Sequence, residues 1–179
     1  MIDTGDNIPV KQRPYNTPYH FRTFEKEHME ELLKNKVIRP SASPWASPVV
    51  IAPKKGGWRF CVNYQALNKL TKTDAYPIPR INNLLDQVQK AKYFTSLDAF
   101  TGFHGIPVHP ESISKTAFVT SHGQWEYVRM PFGLKNAPAA FQRTMNTILS
   151  PVLNKFAVVY IDDINIYSDS FKQHLDHLR

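Results

Sequence analysis

The chain has 179 residues, 42% of them apolar, which is enough for a packed core and argues against global disorder. Lys and Arg number 22 against 15 Asp and Glu, and the formal net charge of +7 suits a polyanionic partner, although a merely soluble basic protein shows the same balance. The single cysteine, Cys61, excludes an internal disulfide, and neither a membrane-length apolar run nor a signal-peptide pattern is visible, so the sequence reads as intracellular with no membrane partner.

Residues 1–19 carry Pro9, Pro14 and Pro18 among polar and basic residues and predict an extended, loosely packed segment. A helix is expected from Thr23, as N-cap, to about Asn35, with Phe24, His28, Leu32 and Leu33 on its buried face. Val49-Val50-Ile51 is a short β-type run, Lys54-Lys55-Gly56-Gly57 a basic turn, and Trp58 to Tyr64 a second strand. Lys54, Lys55 and Arg59 are thereby brought near one another, either as a solvated face or as partners for a triphosphate. Cys61, mid-strand, reads as core.

Pro77 and Pro79 precede Ile81, Leu84, Leu85 and Val88, which fall at helical spacing. Tyr93 to Asp98 alternates and predicts a strand that ends in a carboxylate. Lys115–Thr120 and Trp125–Met130 predict a hairpin around Ser121-His122-Gly123-Gln124. Pro131-Phe132-Gly133-Leu134 is a turn, and Asn136 can cap a helix from about Pro138 with Phe141, Met145, Ile148 and Leu149 inward. Ser150-Pro151 ends it. Phe171 to Arg179 begins another helix, and His174 and His177 read as surface residues of it.

Between these last two helices lies Phe156–Ser168, two β-branched and aromatic runs flanking Asp162-Asp163. The aspartate pair reads as the tip of a tight hairpin. Two adjacent carboxylates are either a solvated turn or half of a divalent-cation site, which needs a third carboxylate; Asp98 is the candidate.

Ser47-Pro48-Val49-Val50, Trp58 to Lys69, Tyr76 to Arg80, Ser96-Leu97-Asp98, Lys115 to Phe118, Met130 to Pro138 and Tyr160-Ile161-Asp162-Asp163 occur in order. The set closely resembles the reverse transcriptase of gypsy-type LTR retrotransposons, over nearly the whole chain. The resemblance implies an α+β fold, the fingers and palm of a right-handed polymerase with an antiparallel palm sheet packed on helices. It implies fingers at 1–73 and 106–136, and an incomplete palm at 74–105 and 137–179. It implies Asp98, Asp162 and Asp163 as catalytic, metal-binding carboxylates for two Mg²⁺ ions, with Mn²⁺ as an alternative. Lys55 and Arg59 match positions that hold the incoming triphosphate, with Lys54 beside them. Phe103 matches the aromatic that excludes a ribose 2′-hydroxyl, and Phe132 lies in the turn lining the nucleotide pocket. Gln142 and Tyr160 fall where the family approaches nucleic acid, Gln142 nearer the template. The implied partners are an RNA or DNA template with its primer, deoxynucleoside triphosphates and the rest of a Pol polyprotein, in the cytoplasm or in virus-like particles.

The chain departs from that pattern at several positions. Asn63 and Gln65 stand where Asp and Arg are common, Gly56 where Asp is usual, Gly105 where Gln is usual, and Asn165 where the strand is normally apolar. The implied function is an RNA-directed DNA polymerase core; the alternative is a truncated, non-catalytic nucleic-acid-binding remnant of one. Phe103 disfavours an RNA-making polymerase. The family's primer grip and thumb are expected beyond Arg179, so these residues alone are not expected to synthesise DNA processively.

Overall fold

The computed structural model describes residues 1–99 and 101–179. In chain order the elements are α1 (Arg22–Lys34), β1 (Ile38–Pro40), β2 (Ser47–Lys54), β3 (Gly57–Val62), α2 (Gln65–Leu70), α3 (Ile81–Val88), β4 (Tyr93–Asp98), α4 (Pro110–Ile113), β5 (Phe118–Thr120), β6 (Gly123–Tyr127), α5 (Ala137–Ile148), β7 (Ala157–Tyr160), β8 (Asp163–Ser168) and α6 (Phe171–His177). They form two compact units, Met1–Thr73 with Phe103–Ala137, and Asp74–Gly102 with Pro138–Arg179. Among the described residues no helix is long and apolar enough to cross a membrane.

The first unit is built on a five-stranded sheet in the order β1-β6-β5-β2-β3, in which β2 and β5 run parallel and the other neighbours antiparallel. One core gathers Met29, Leu32, Val37, Ile38, Val49, Phe118 and Tyr127, and a second gathers Ile2, Trp45, Tyr64, Leu67 and Ala117. The first residues of the chain are therefore not loose. Ile2 is buried, its N–H donates to Ser112 Oγ at 2.8 Å, and Lys115 Nζ donates back to its carbonyl at 2.8 Å. Burying one apolar side chain gains about 1.5–3 kcal/mol, enough to tie down a terminus.

Helix α1 begins one residue before the expected cap, and Phe21, without a side-chain cap, precedes it. Its buried residues are Glu25, Met29 and Leu32, one turn apart in each case, whereas Phe24, His28 and Leu33 are half-buried. The β2–β3 hairpin is longer at its start than Val49-Val50-Ile51 suggests, and the predicted 115–120 strand is shorter, because Ser114–Thr116 forms a helical turn. Phe118 nonetheless meets Trp125 in the β5–β6 register.

The second unit is a three-stranded antiparallel sheet in the order β4-β8-β7, with α6 against β8 and β4. Its strands and helices lie where the sequence places them, but Ile148, expected inward, is exposed, and α3 buries none of its residues. His174 does not fit its surface assignment. It is buried, its Nδ1 bonding with Ser168 Oγ at 2.9 Å and its Nε2 with Thr95 Oγ1 at 2.8 Å. A helix that crosses a sheet buries whichever of its residues faces the strands, so the polar His174 goes inward with two hydroxyl partners. His177 joins it by bonding the same serine at 2.8 Å and lying against the Phe156 ring, with centroids 3.9 Å apart.

Candidate active site

Strand β8 is central in the three-stranded sheet, and its register decides where the carboxylates go. Asp98, last residue of β4, is the Cα partner of Asp163, first residue of β8. Tyr160, last residue of β7, pairs with the same Asp163 on the other side. The turn between β7 and β8 is therefore Ile161-Asp162, not Asp162-Asp163. One aspartate sits at the tip, and the other begins the strand directly opposite Asp98.

A two-residue hairpin turn needs positive φ at one or both central positions to match strand twist, and Gly usually supplies it. Here Ile161 does, at φ +53°. A β-branched residue in that region is an outlier that costs on the order of 1–3 kcal/mol. What holds it comes from α5. Gln142 is fully buried, its Oε1 accepts the Ile161 N–H at 2.8 Å, and its Nε2 donates to the Val159 carbonyl at 3.2 Å and to Asn146 Oδ1 at 2.9 Å. The side chain read from sequence as nearer the template is thus spent inside the protein.

Asp162 is half-buried, and its Oδ1 is shielded from solvent with no hydrogen-bond partner among the described residues. Burial pushes its carboxyl above the usual carboxylate range, and the charges of Asp98 and then Asp163 push it further the same way. Asp98 and Asp163 are exposed. Among the described residues no group of three or more His, Cys, Asp or Glu is arranged to hold a metal ion. The donor set is all carboxylate oxygen, and an orphaned oxygen among like charges is the environment a hard cation relieves.

The chain leaving β4 passes close to α5. A Cβ on Gly102 would lie 2.9 Å from Phe141 Cζ and 2.9 Å from Ala99 Cβ, so no larger residue fits without displacement. Gly105 has nothing among the described residues within 4 Å of such a Cβ, so its lack of a side chain answers no steric need there. On the same side of the sequence, Asp74 makes a two-point contact with Arg143 Nη2, at 2.8 and 2.9 Å, and Arg143 lies over the Tyr76 ring at 4.7 Å.

In the first unit, Lys54 faces Gly57 and Ala52 faces Arg59 across the β2–β3 hairpin. Lys54, Lys55 and Arg59 are all exposed, and Gly56 turns the hairpin at φ +81°. Phe103 is buried and packs on the exposed Phe132, ring centroids 4.6 Å apart. Tyr160 is half-buried at the end of β7. Sequence reasoning missed Asn146 and Tyr76, whose 2.8 Å bond (Asn146 Nδ2 to the Tyr76 hydroxyl) extends the Gln142 network. The signal was present, since Gln142 and Asn146 are two amides one turn apart on an otherwise apolar helix face.

The family model described as "Reverse transcriptase (RNA-dependent DNA polymerase)" matches residues 51–179. The chain belongs to the reverse transcriptase family. It is 43% identical over 185 aligned positions to the retrovirus-related Pol polyprotein from transposon 297 of Drosophila melanogaster, covering 100% of this chain and 18% of that protein. The Pol polyprotein from transposon gypsy of the same fly is 38% identical, with 99% and 18% covered. The enzymatic polyprotein of cauliflower mosaic virus (strain Strasbourg) is 39% identical, with 99% and 26% covered. This reverse transcriptase domain therefore spans about a fifth to a quarter of the length of those relatives. Among solved structures, the native protease-reverse transcriptase of prototype foamy virus superposes with a TM-score of 0.89 at 32% identity, over 99% of this chain and 24% of that one. A foamy viral protease-reverse transcriptase in complex with an RNA/DNA hybrid superposes equally well, TM-score 0.89, at 28% identity, with 99% and 24% covered. The expected family and the mixed helix-and-sheet fold are both borne out.

Proposed function

We infer that the chain is the fingers and palm core of an RNA-directed DNA polymerase, in which Asp98, Asp162 and Asp163 are the metal-binding carboxylates. The observation that carries this reading is the unpartnered Asp162 Oδ1 beside two further carboxylates. Mg²⁺ keeps several waters and takes phosphate oxygens from its substrate, so a few carboxylates at one end of a sheet suit it without a closed protein cage. When bound, two such ions would supply acidity to the primer 3′-hydroxyl and neutralise charge on the departing pyrophosphate.

The chain's own residues do the rest. Asp98 and Asp163, fixed by strand pairing, present charge at the sheet end, and Asp162 supplies the half-shielded third group. Lys55 and Arg59, with Lys54 beside them, are free of ion pairs among the described residues and offer donors to a triphosphate. Phe103, packed against Phe132, would form the wall that a 2′-hydroxyl strikes. The substrates on this reading are a primed RNA or DNA template and deoxynucleoside triphosphates, and the setting is a Pol polyprotein inside the cell. The test is extension of a labelled DNA primer on a defined RNA template by the chain and by a longer polypeptide that continues it. Products whose sequence follows the template support the reading. Template and primer bound with no extension by either polypeptide would leave a nucleic-acid-binding protein instead.

A further inference from the structure

We propose that Gln142 is a positioning residue for the turn that carries Asp162 and Asp163, acting through the backbone of Ile161. This rests on the polymerase reading for its kinetic consequence, but not for its structural one. Ile161 sits at φ +53°, where a β-branched residue does not rest unaided. Its N–H is met by Gln142 Oε1 at 2.8 Å, and the carbonyl two residues earlier, on Val159, is met by Gln142 Nε2 at 3.2 Å. One side-chain amide thus bridges the end of β7 and the tip of the hairpin.

The amide cannot be reversed without loss. Nε2 also donates to Asn146 Oδ1 at 2.9 Å, while Asn146 Nδ2 donates to the Tyr76 hydroxyl at 2.8 Å. The Ile161 N–H can only donate and the Val159 carbonyl can only accept, so they fix which end of the Gln142 amide is oxygen, and Asn146 braces it there. Gln142 is fully buried, so neither group is exchanged for water. A buried amide in that state must keep its partners or leave them orphaned. The turn residue that follows is Asp162, so a change of φ at Ile161 swings a carboxylate relative to Asp98 and Asp163. Geometry of that kind is worth much in rate, since a misplacement of about 1 Å costs roughly 100-fold.

The test uses Gln142→Leu, which keeps volume and removes both bonds, Asn146→Leu, which removes only the orienting partner, and Ile161→Gly, which adopts positive φ without support. In the longest polypeptide that carries this chain, Gln142→Leu should lower kcat about 10- to 100-fold and raise the Mg²⁺ concentration for half-maximal rate, with KM for deoxynucleotide and affinity for primed template within about twofold. Asn146→Leu should give the same pattern with a smaller loss. The double variant Gln142→Leu/Ile161→Gly should recover at least half of the lost rate on a logarithmic scale. Amide exchange in the unmodified and Gln142→Leu chains should show faster exchange of the Ile161 N–H, with the β8 amides of Ile164 and Ile166 unchanged. Loss confined to template affinity, or additive effects in the double variant, would overturn the proposal. An unchanged Ile161 exchange rate would overturn it whether or not the protein polymerises. Absence of polymerisation by the unmodified protein, with the exchange result as expected, would overturn only the polymerase reading. If Gln142→Leu does not fold, Asn146→Leu and Ile161→Gly alone still decide the matter: Ile161→Gly must then leave kcat less sensitive to Asn146→Leu.

Discussion

Asp98→Asn should stabilise the metal-free protein and remove most of its stabilisation by Mg²⁺. The register puts Asp98 directly opposite Asp163, and like charges in that relation destabilise a strand pair by about 0.2–1 kcal/mol. Asn keeps the volume and β4 pairing while deleting one charge. For a chain of this size 1 kcal/mol shifts Tm by about 2–4 °C, so the variant should melt roughly 0.5–4 °C higher at pH 7 without divalent ions. With Mg²⁺ at about ten times its dissociation constant, a ligand that binds only the folded state adds about 1.4 kcal/mol, roughly 3–6 °C, to the unmodified protein. The variant, short of a ligand, should gain much less, and the order of the two melting points should reverse. The assay is thermal unfolding followed by far-UV circular dichroism with and without Mg²⁺. Equal stabilisation of both proteins by Mg²⁺, or a lower melting point for Asp98→Asn without it, would refute the reasoning.

Three other outcomes follow from particular contacts. Asp162 holds its proton more tightly folded than unfolded, where its ordinary value is 3.8, so its contribution to stability is fully present below that pH and is lost as pH rises through the raised native value. Denaturant titrations of the metal-free chain from about pH 3.5 upward should show this loss, and Asp162→Asn should flatten it. Phe103→Val should admit ribonucleotides, because the wall against the 2′-hydroxyl is removed; an unchanged ratio of deoxy- to ribonucleotide incorporation would make Phe103 only a packing residue. Gly102→Ala should destabilise the second unit by about 1–3 kcal/mol, read by denaturant unfolding, because the new methyl meets Phe141 and Ala99 at 2.9 Å.

Much of the second unit was legible in the sequence because each element keeps its period without competition. Tyr93–Asp98 alternates and forms β4 over the same residues, and the strands around the aspartates fall where their β-branched runs lie. What periodicity could not supply was register. Placing the tip at Ile161-Asp162 rather than Asp162-Asp163 shifts by one residue which carboxylate faces Asp98, and that depends on a side chain of α5 that a local reading cannot see. Burial of polar groups was the second blind spot. Gln142, Glu25 and His174 look like surface residues by type, yet the first and last are buried with hydrogen-bond partners, and Glu25 is buried with neither carboxylate oxygen paired among the described residues. Short helices were missed for a different reason: Gln65–Leu70 and Pro110–Ile113 are too brief to show a 3.6-residue pattern. The looseness expected of the first residues followed from their prolines, and the burial of Ile2 against distant Trp45 and Tyr64 overrode it.

The most direct test of the account is single-nucleotide incorporation under single-turnover conditions, with a DNA primer on an RNA template and Mg²⁺ titrated. It compares the unmodified reverse transcriptase polypeptide with Asp162→Asn, and uses Asp169→Asn, an exposed carboxylate of the same unit, as control. Mg²⁺-dependent addition should be at least about 100-fold slower in Asp162→Asn and unchanged in Asp169→Asn. Incorporation by Asp162→Asn at the unmodified rate would contradict it.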